Sequence, residues 1–143
     1  MISAAETLRT LGQRPPAGRG AERAARDLVR AGMPSSVIAK LAKAFNTSVD
    51  EIQRIIGVSR ATGTRRRASS APLRPAWSDR AFRMASAYAQ AKRVFESAEN
   101  AREWFKEPNR ELHGERPIDL LDTDVGTREV LRSLDRIEYG IYA

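Results

Sequence analysis

Seven side chains that closely follow a glycine have the chemistry needed to hold a polyanion. Residues 48–67 read SVDEIQRIIGVSRATGTRRR. Ser59, Arg60, Thr62 and Thr64 supply hydroxyl and guanidinium donors that suit phosphate oxygens and base edges. Arg65, Arg66 and Arg67 would neutralise phosphates, a contribution that is salt-sensitive and independent of sequence. Arginine is also the side chain that most often reads guanine through two hydrogen bonds. To reach a major groove these groups need a short supporting helix, a tight turn at Gly57 and a second, exposed helix, which is the helix-turn-helix pattern. Ile52, Ile55 and Ile56 form the buried face of the first helix, and Ser59 is placed to cap the second. Two residues depart from that pattern. Gly63 stands where a recognition helix normally buries Val or Leu, at about 1 kcal/mol of helix propensity relative to Ala. Gln53 stands four residues before the turn glycine, where a small residue is usual. A basic linker after an ordinary helical hairpin is the alternative.

Other chemistries have little to work with. The chain has no cysteine, which excludes disulfides, thiolate zinc sites and a cysteine nucleophile. Its one histidine, His113, lies in Glu111–Glu115 with no nucleophile or metal partner nearby in sequence. Asp122 and Asp124 suit the start of a helix better than a metal site, which needs further oxygen ligands. No enzyme activity, metal or cofactor is expected. No apolar run approaches the roughly 18 residues that would span a bilayer. The opening MISAAETLRTLGQR lacks the apolar core of a secretory signal. A cytoplasmic protein without a membrane partner is the expectation.

Charge and composition set the frame for these residues. The chain of 143 residues carries a net charge of +7, with +8 in residues 1–72 and −1 in residues 73–143. One half can approach a polyanion and the other cannot on charge alone, unless the basic half is simply solvated. Leu, Ile, Val and Phe number only 29, against 22 alanines, which suits a modest helical core and not a large sandwich or a doubly wound sheet. No segment alternates as a strand would, so the fold class is all-α: an N-terminal helix-turn-helix module followed by a small helical partner-binding domain.

Residues 1–19, ending in QRPPAGRG, read as a tail or linker. Residues 20–70 form the helix-turn-helix domain, with a helix over Ala21–Ala31 and then a buried stripe of Val37, Ile38, Leu41, Ala42 and Phe45. Ser48 to Glu51 is a capping-box pattern. ASSAPLRPA, residues 68–76, is the clearest boundary. Residues 71–96 give a linker and a central helix capped at Ser78-Asp79, whose Met84, Tyr88, Ala91 and Phe95 would join two copies. Residues 97–143 begin with a helix capped by Ser97 and continue through an irregular segment from Arg110 to Asp124. A last helix runs from about Thr127 to Tyr139, burying Val130, Leu131, Leu134 and Ile137.

Residues 91–143 resemble the toxin-binding domain of the Xre/ParS-type (MbcA-like) antitoxins that pair with RES-domain toxins in type II toxin-antitoxin systems. The shared pattern is carried by Val94-Phe95, Ala101, Trp104, Pro108, Asn109 and Leu112. It continues through Pro117, Leu120, Leu121, Thr123, Gly126, Val130, Leu134, Arg136-Ile137 and Gly140. Residues 55–67 are similar to the family's basic helix, with Gly63 replacing a Leu, and Ser78-Asp79-Arg80 is similar to the start of its central helix. The resemblance implies a homodimeric non-enzyme with two partners, a cognate RES toxin that consumes NAD or uses it for ADP-ribosylation, and operator DNA. It implies that the C-terminal region covers the entrance to the toxin's NAD site, with Trp104, Asn109, Arg136, Tyr139, Gly140, Ile141, Tyr142 and Ala143 as contacts. Trp104 suits a core role equally well. The last residues fit either insertion into a pocket or a solvated tail. The alternatives are a helical inhibitor module or a helix-turn-helix repressor without a toxin partner.

Overall fold

A computed structural model describes residues 2–59, 61–62 and 71–140. Among them are seven α-helices and no strand: α1 (Ala4–Thr10), α2 (Ala21–Ala31), α3 (Val37–Phe45), α4 (Val49–Ile56), α5 (Pro75–Phe95), α6 (Ala98–Lys106) and α7 (Asp124–Tyr139). The segment expected to be irregular before α7 contains two 3-10 turns, Arg110–Leu112 and Pro117–Asp122.

Side-chain oxygens set the helix starts. Ser3, Ser48, Ser97 and Thr123 each accept a backbone N–H from the first turn of the helix they precede, satisfying donors that have no partner within it. The apolar stripe expected in α3 is entirely buried. Helix α5, the longest, is packed by α1, α2, α3, α6 and α7. The buried side chains form one cluster running from Leu11 to Leu134. Its aromatic centre joins elements distant in sequence: the Phe45 ring of α3 lies 5.3 Å from Tyr88 of α5 and 4.9 Å from Phe105 of α6.

Four expectations are corrected by this packing. The N-terminal segment is no loose tail, because α1 buries Thr7, Leu8 and the adjoining Leu11 against the core. The boundary around residues 71–74 is no free linker, since Leu73 is buried and its N–H donates to Met33 O at 2.8 Å. Helix α5 starts at Pro75, whose fixed φ and missing N–H suit a first turn. Ser78 is therefore inside the helix, fully buried, and its hydroxyl instead accepts the Met33 N–H at 2.8 Å. Finally, the stripe expected to join two copies is filled by the chain itself. Met84 and Ala91 are 0% exposed and Tyr88 6%, while half-buried Phe95 packs on Trp104. Amphipathic spacing dictates burial, and here the covering surface is intramolecular.

Candidate functional site

Helix α4 holds the turn that precedes the basic segment. Ile52, Ile55 and Ile56 anchor it in the core, as expected. Its capping box is half realised: Ser48 Oγ accepts the Glu51 N–H at 3.1 Å, but the Glu51 carboxylate turns to Thr47 Oγ1 and Arg116. Gly57 ends the helix in the left-handed region with φ of 91°. Arg80 of α5 donates to Ile56 O at 2.7 Å and lies against the bare face of Gly57, where a Cβ would sit 2.7 Å from its guanidinium nitrogen. The turn thus needs glycine for its backbone angle and for Arg80. Val58 is buried behind it.

Beyond the turn, Ser59 Oγ accepts the Thr62 N–H at 3.1 Å and its hydroxyl donates to Thr62 Oγ1 at 2.7 Å. Ala61 and Thr62 are helical, so a second helix starts where the sequence places it. Arg60, Gly63, Thr64, Arg65, Arg66 and Arg67 lie outside the described residues. Gln53, flagged as unusual for its position, is 1% exposed, and neither polar atom of its amide has a partner among the described residues. Buried amides without partners are destabilising.

At the other end, Trp104 is half-buried between Phe95 and Phe105, with ring centroids at 5.9 and 5.1 Å. Asn109 shapes a turn: its Oδ1 accepts the Glu111 N–H at 2.9 Å and its own N–H donates to Glu115 O. Arg136 is half-buried, 3.8 Å from Glu111 Oε2, which also accepts from Ser133 Oγ. Tyr139 is 67% exposed and Gly140 closes α7 in the left-handed conformation. Ile141, Tyr142 and Ala143 lie outside the described residues. Sequence reasoning missed Val125, 68% exposed at the start of α7. At about 100° per residue, Val125, Arg132, Arg136 and Tyr139 fall within an arc of roughly 60°. They form one strip along α7, apolar at both ends and cationic between. Gly126 seats this helix, because a Cβ there would lie 2.2 Å from Leu120 O.

The two ends are joined by charge as well as by the core. Arg116 bridges Glu51 at 2.8 Å and Asp119 at 2.9 Å, while Arg54 reaches Asp119 at 3.0 Å and Glu51 at 3.6 Å. The Thr47 hydroxyl and the Arg116 guanidinium hold the Glu51 carboxyl below its usual range, and Arg116 does the same to Asp119. Hydrogen bonds to Asp119 and Glu51 raise Arg116. This ring ties α4 to the Pro117–Asp122 turn. Its long-range members, 65 residues apart, carry no local sequence signal. Among the described residues no group of three or more His, Asp or Glu is arranged to hold a metal, and no helix is long and apolar enough to cross a membrane.

Residues 24–86 match the antitoxin Xre-like helix-turn-helix domain, and residues 90–140 match the antitoxin Xre/MbcA/ParS C-terminal toxin-binding domain. The chain belongs to the Xre/MbcA/ParS antitoxin family. It is similar to an antitoxin Xre of Photorhabdus laumondii, 27% identical over 115 residues that cover 80% of this chain and 78% of that protein. It is also similar to an antitoxin Xre of Pseudomonas putida, 38% identical over 69 residues, or 48% of this chain and 43% of that protein. The family is one of toxin-binding and DNA-binding proteins and not of enzymes. Its two domains meet within α5, so in this antitoxin the central helix belongs to both.

Proposed function

We propose that this antitoxin silences a RES-domain toxin, one that consumes NAD or uses it for ADP-ribosylation, and represses its own operon as a homodimer on operator DNA. The exposed strip of α7 carries the reading. Val125, Arg132 and Tyr139 are exposed along one side of α7 with half-buried Arg136 among them, and in sequence Ile141, Tyr142 and Ala143 follow Gly140. An apolar strip punctuated by arginines and ending in tyrosines has the composition of an interface anchor. Laid over the toxin's active-site entrance, this end of the chain would exclude substrate, with Trp104 and Asn109 as further contacts.

Arg60, Thr64, Arg65, Arg66 and Arg67 carry the DNA contacts in this reading, on a helix started by the Ser59–Thr62 cap. DNA binding falls to about residues 20–70 and toxin binding to about residues 97–143. A two-fold dimer, paired through a surface other than the buried Met84–Tyr88–Ala91 stripe, would read half-sites about 34 Å apart or a multiple of that. Repression of an operon places the protein in the cytoplasm.

Both roles can be tested in one host. Tyr139→Ala combined with deletion of Ile141, Tyr142 and Ala143 is expected to leave stability within about 0.5 kcal/mol, as surface changes do, and to abolish rescue from the co-expressed toxin. Full rescue by that variant would overturn the covering role of the C-terminal end. Replacing Arg65, Arg66 and Arg67 by Ala is expected to flatten the salt dependence of operator binding by about 0.9 per lost phosphate contact. An unchanged slope would remove the basic helix from the DNA interface.

A further inference from the structure

Across the core from the turn at Gly57 lies a cleft of about 780 Å³ bounded by α1, α3, the C-terminal half of α5 and the start of α6. Arg9, Lys40, Lys43 and Lys92 line it, and none of their side-chain nitrogens has a hydrogen-bond or ion-pair partner among the described residues. Arg93, paired with Glu138, and Arg102, which donates to Ala44 O, add two further cations. Glu6 and Glu96 are the only acids in the lining. Local shape helps aim one of the lysines. Gly12 lets the Lys40 stem cross the end of α1, where a Cβ would lie 2.9 Å from Lys40 Cε. Concave surfaces lined by one sign of charge focus their field on a ligand.

This cleft lies apart from the turn at Gly57. On α5, Arg80 marks the side that supports the turn. At about 100° and 1.5 Å per residue, the cleft's α5 residues lie on average about 150° around the helix from Arg80 and about 12–20 Å further along it. The volume is that of a small-molecule site, which commonly spans about 300–1,000 Å³. Four cations from three helices, with side chains unpaired among the described residues, call for dense negative charge. A phosphate group offers nearly two charges and three acceptor oxygens, whereas a carboxylate offers one charge.

We propose that the cleft is a second anion site that takes a ligand with clustered phosphate groups, a soluble oligophosphate or nucleotide, independently of the DNA-binding helix. Inorganic tripolyphosphate titrated calorimetrically into the full chain is expected to bind at one site. Lys40→Ala/Lys43→Ala/Lys92→Ala, all at exposed positions, should weaken it roughly tenfold with the helical spectrum unchanged. Arg65→Ala/Arg66→Ala/Arg67→Ala should bind it normally, even if operator binding is lost or was never present. ATP binding with the same variant pattern would assign the site to nucleotides. Displacement of tripolyphosphate from the Arg65–Arg67 variant by a non-operator duplex would overturn a soluble ligand in favour of nucleic-acid phosphates. Full affinity in the lysine variant, loss in the arginine variant, equal competition by polyglutamate, or no binding of tripolyphosphate would overturn it.

Discussion

Helices α4 and α7 share their end chemistry: each starts on a side-chain hydroxyl, Ser48 or Thr123, and stops at a left-handed glycine, Gly57 or Gly140. Their surfaces differ. On α4 only Asp50 and Arg54 are well exposed, and Arg54 is drawn into the ring with Asp119. Twice as long, α7 keeps a strip open from Val125 to Tyr139. A helix with no open strip serves to aim the segment beyond its C-terminus; a helix with one is itself a contact surface. On the proposed reading the DNA-binding end depends on α4 as a mount, whereas the toxin-binding end presents its own mount.

Three measurements would break or sharpen that contrast. The largest effect is expected from Phe45→Ala, at the meeting point of α3, α5 and α6. Loss of a buried aromatic costs about 3–5 kcal/mol, and a single urea transition should shift as a whole. Two separate transitions would mean that the ends are independent bodies and α5 only a tether. Next is Gly126→Ala, which forces a Cβ against Leu120 O. Overpacking of this kind costs about 1–3 kcal/mol, and toxin affinity should fall while operator affinity holds. Equal loss of both would show that the seating of α7 also sets the aim of α4.

The smallest effect is a pH dependence of the ring. Glu51 and Asp119 titrate below their usual range in the folded chain, so their contribution is complete above the unfolded carboxylate range, near pH 4. It is lost as pH falls through the lower folded values. For partly exposed pairs it amounts to about 1 kcal/mol or less. Asp119→Asn should remove the acid-side loss that passes through Asp119 when unfolding midpoints are compared between pH 5 and pH 2. An identical profile would show that the ring does not brace α4.

The features legible in the sequence rest on local chemistry. Ser48, Ser97 and Gly57 fix helix ends with their own atoms, and the α3 stripe has nowhere to go but inward. The hidden features were tertiary. Met84, Tyr88 and Ala91 repeat as an interface would, and periodicity does not say whose surface covers them. Ser78 looks like a cap until Met33, 45 residues away, claims its hydroxyl. The prolines and glycines after Gln13 obscured α1, although Ser3, Leu8 and Leu11 carry its signal. The open strip on α7 was half visible, because Tyr139 suggested a contact while nothing in the local spacing singled out Val125.

The sharing of α5 limits how such proteins can be recombined. A chimera cut between the two domains would place the break inside a helix whose sides are filled by both parents, leaving Phe45 of one lineage to pack on Phe105 of the other. On the proposed reading, partner choice in this scaffold can drift through solvent-facing positions such as Val125 and Arg132, but wholesale exchange of one end must carry compensating interior residues with it.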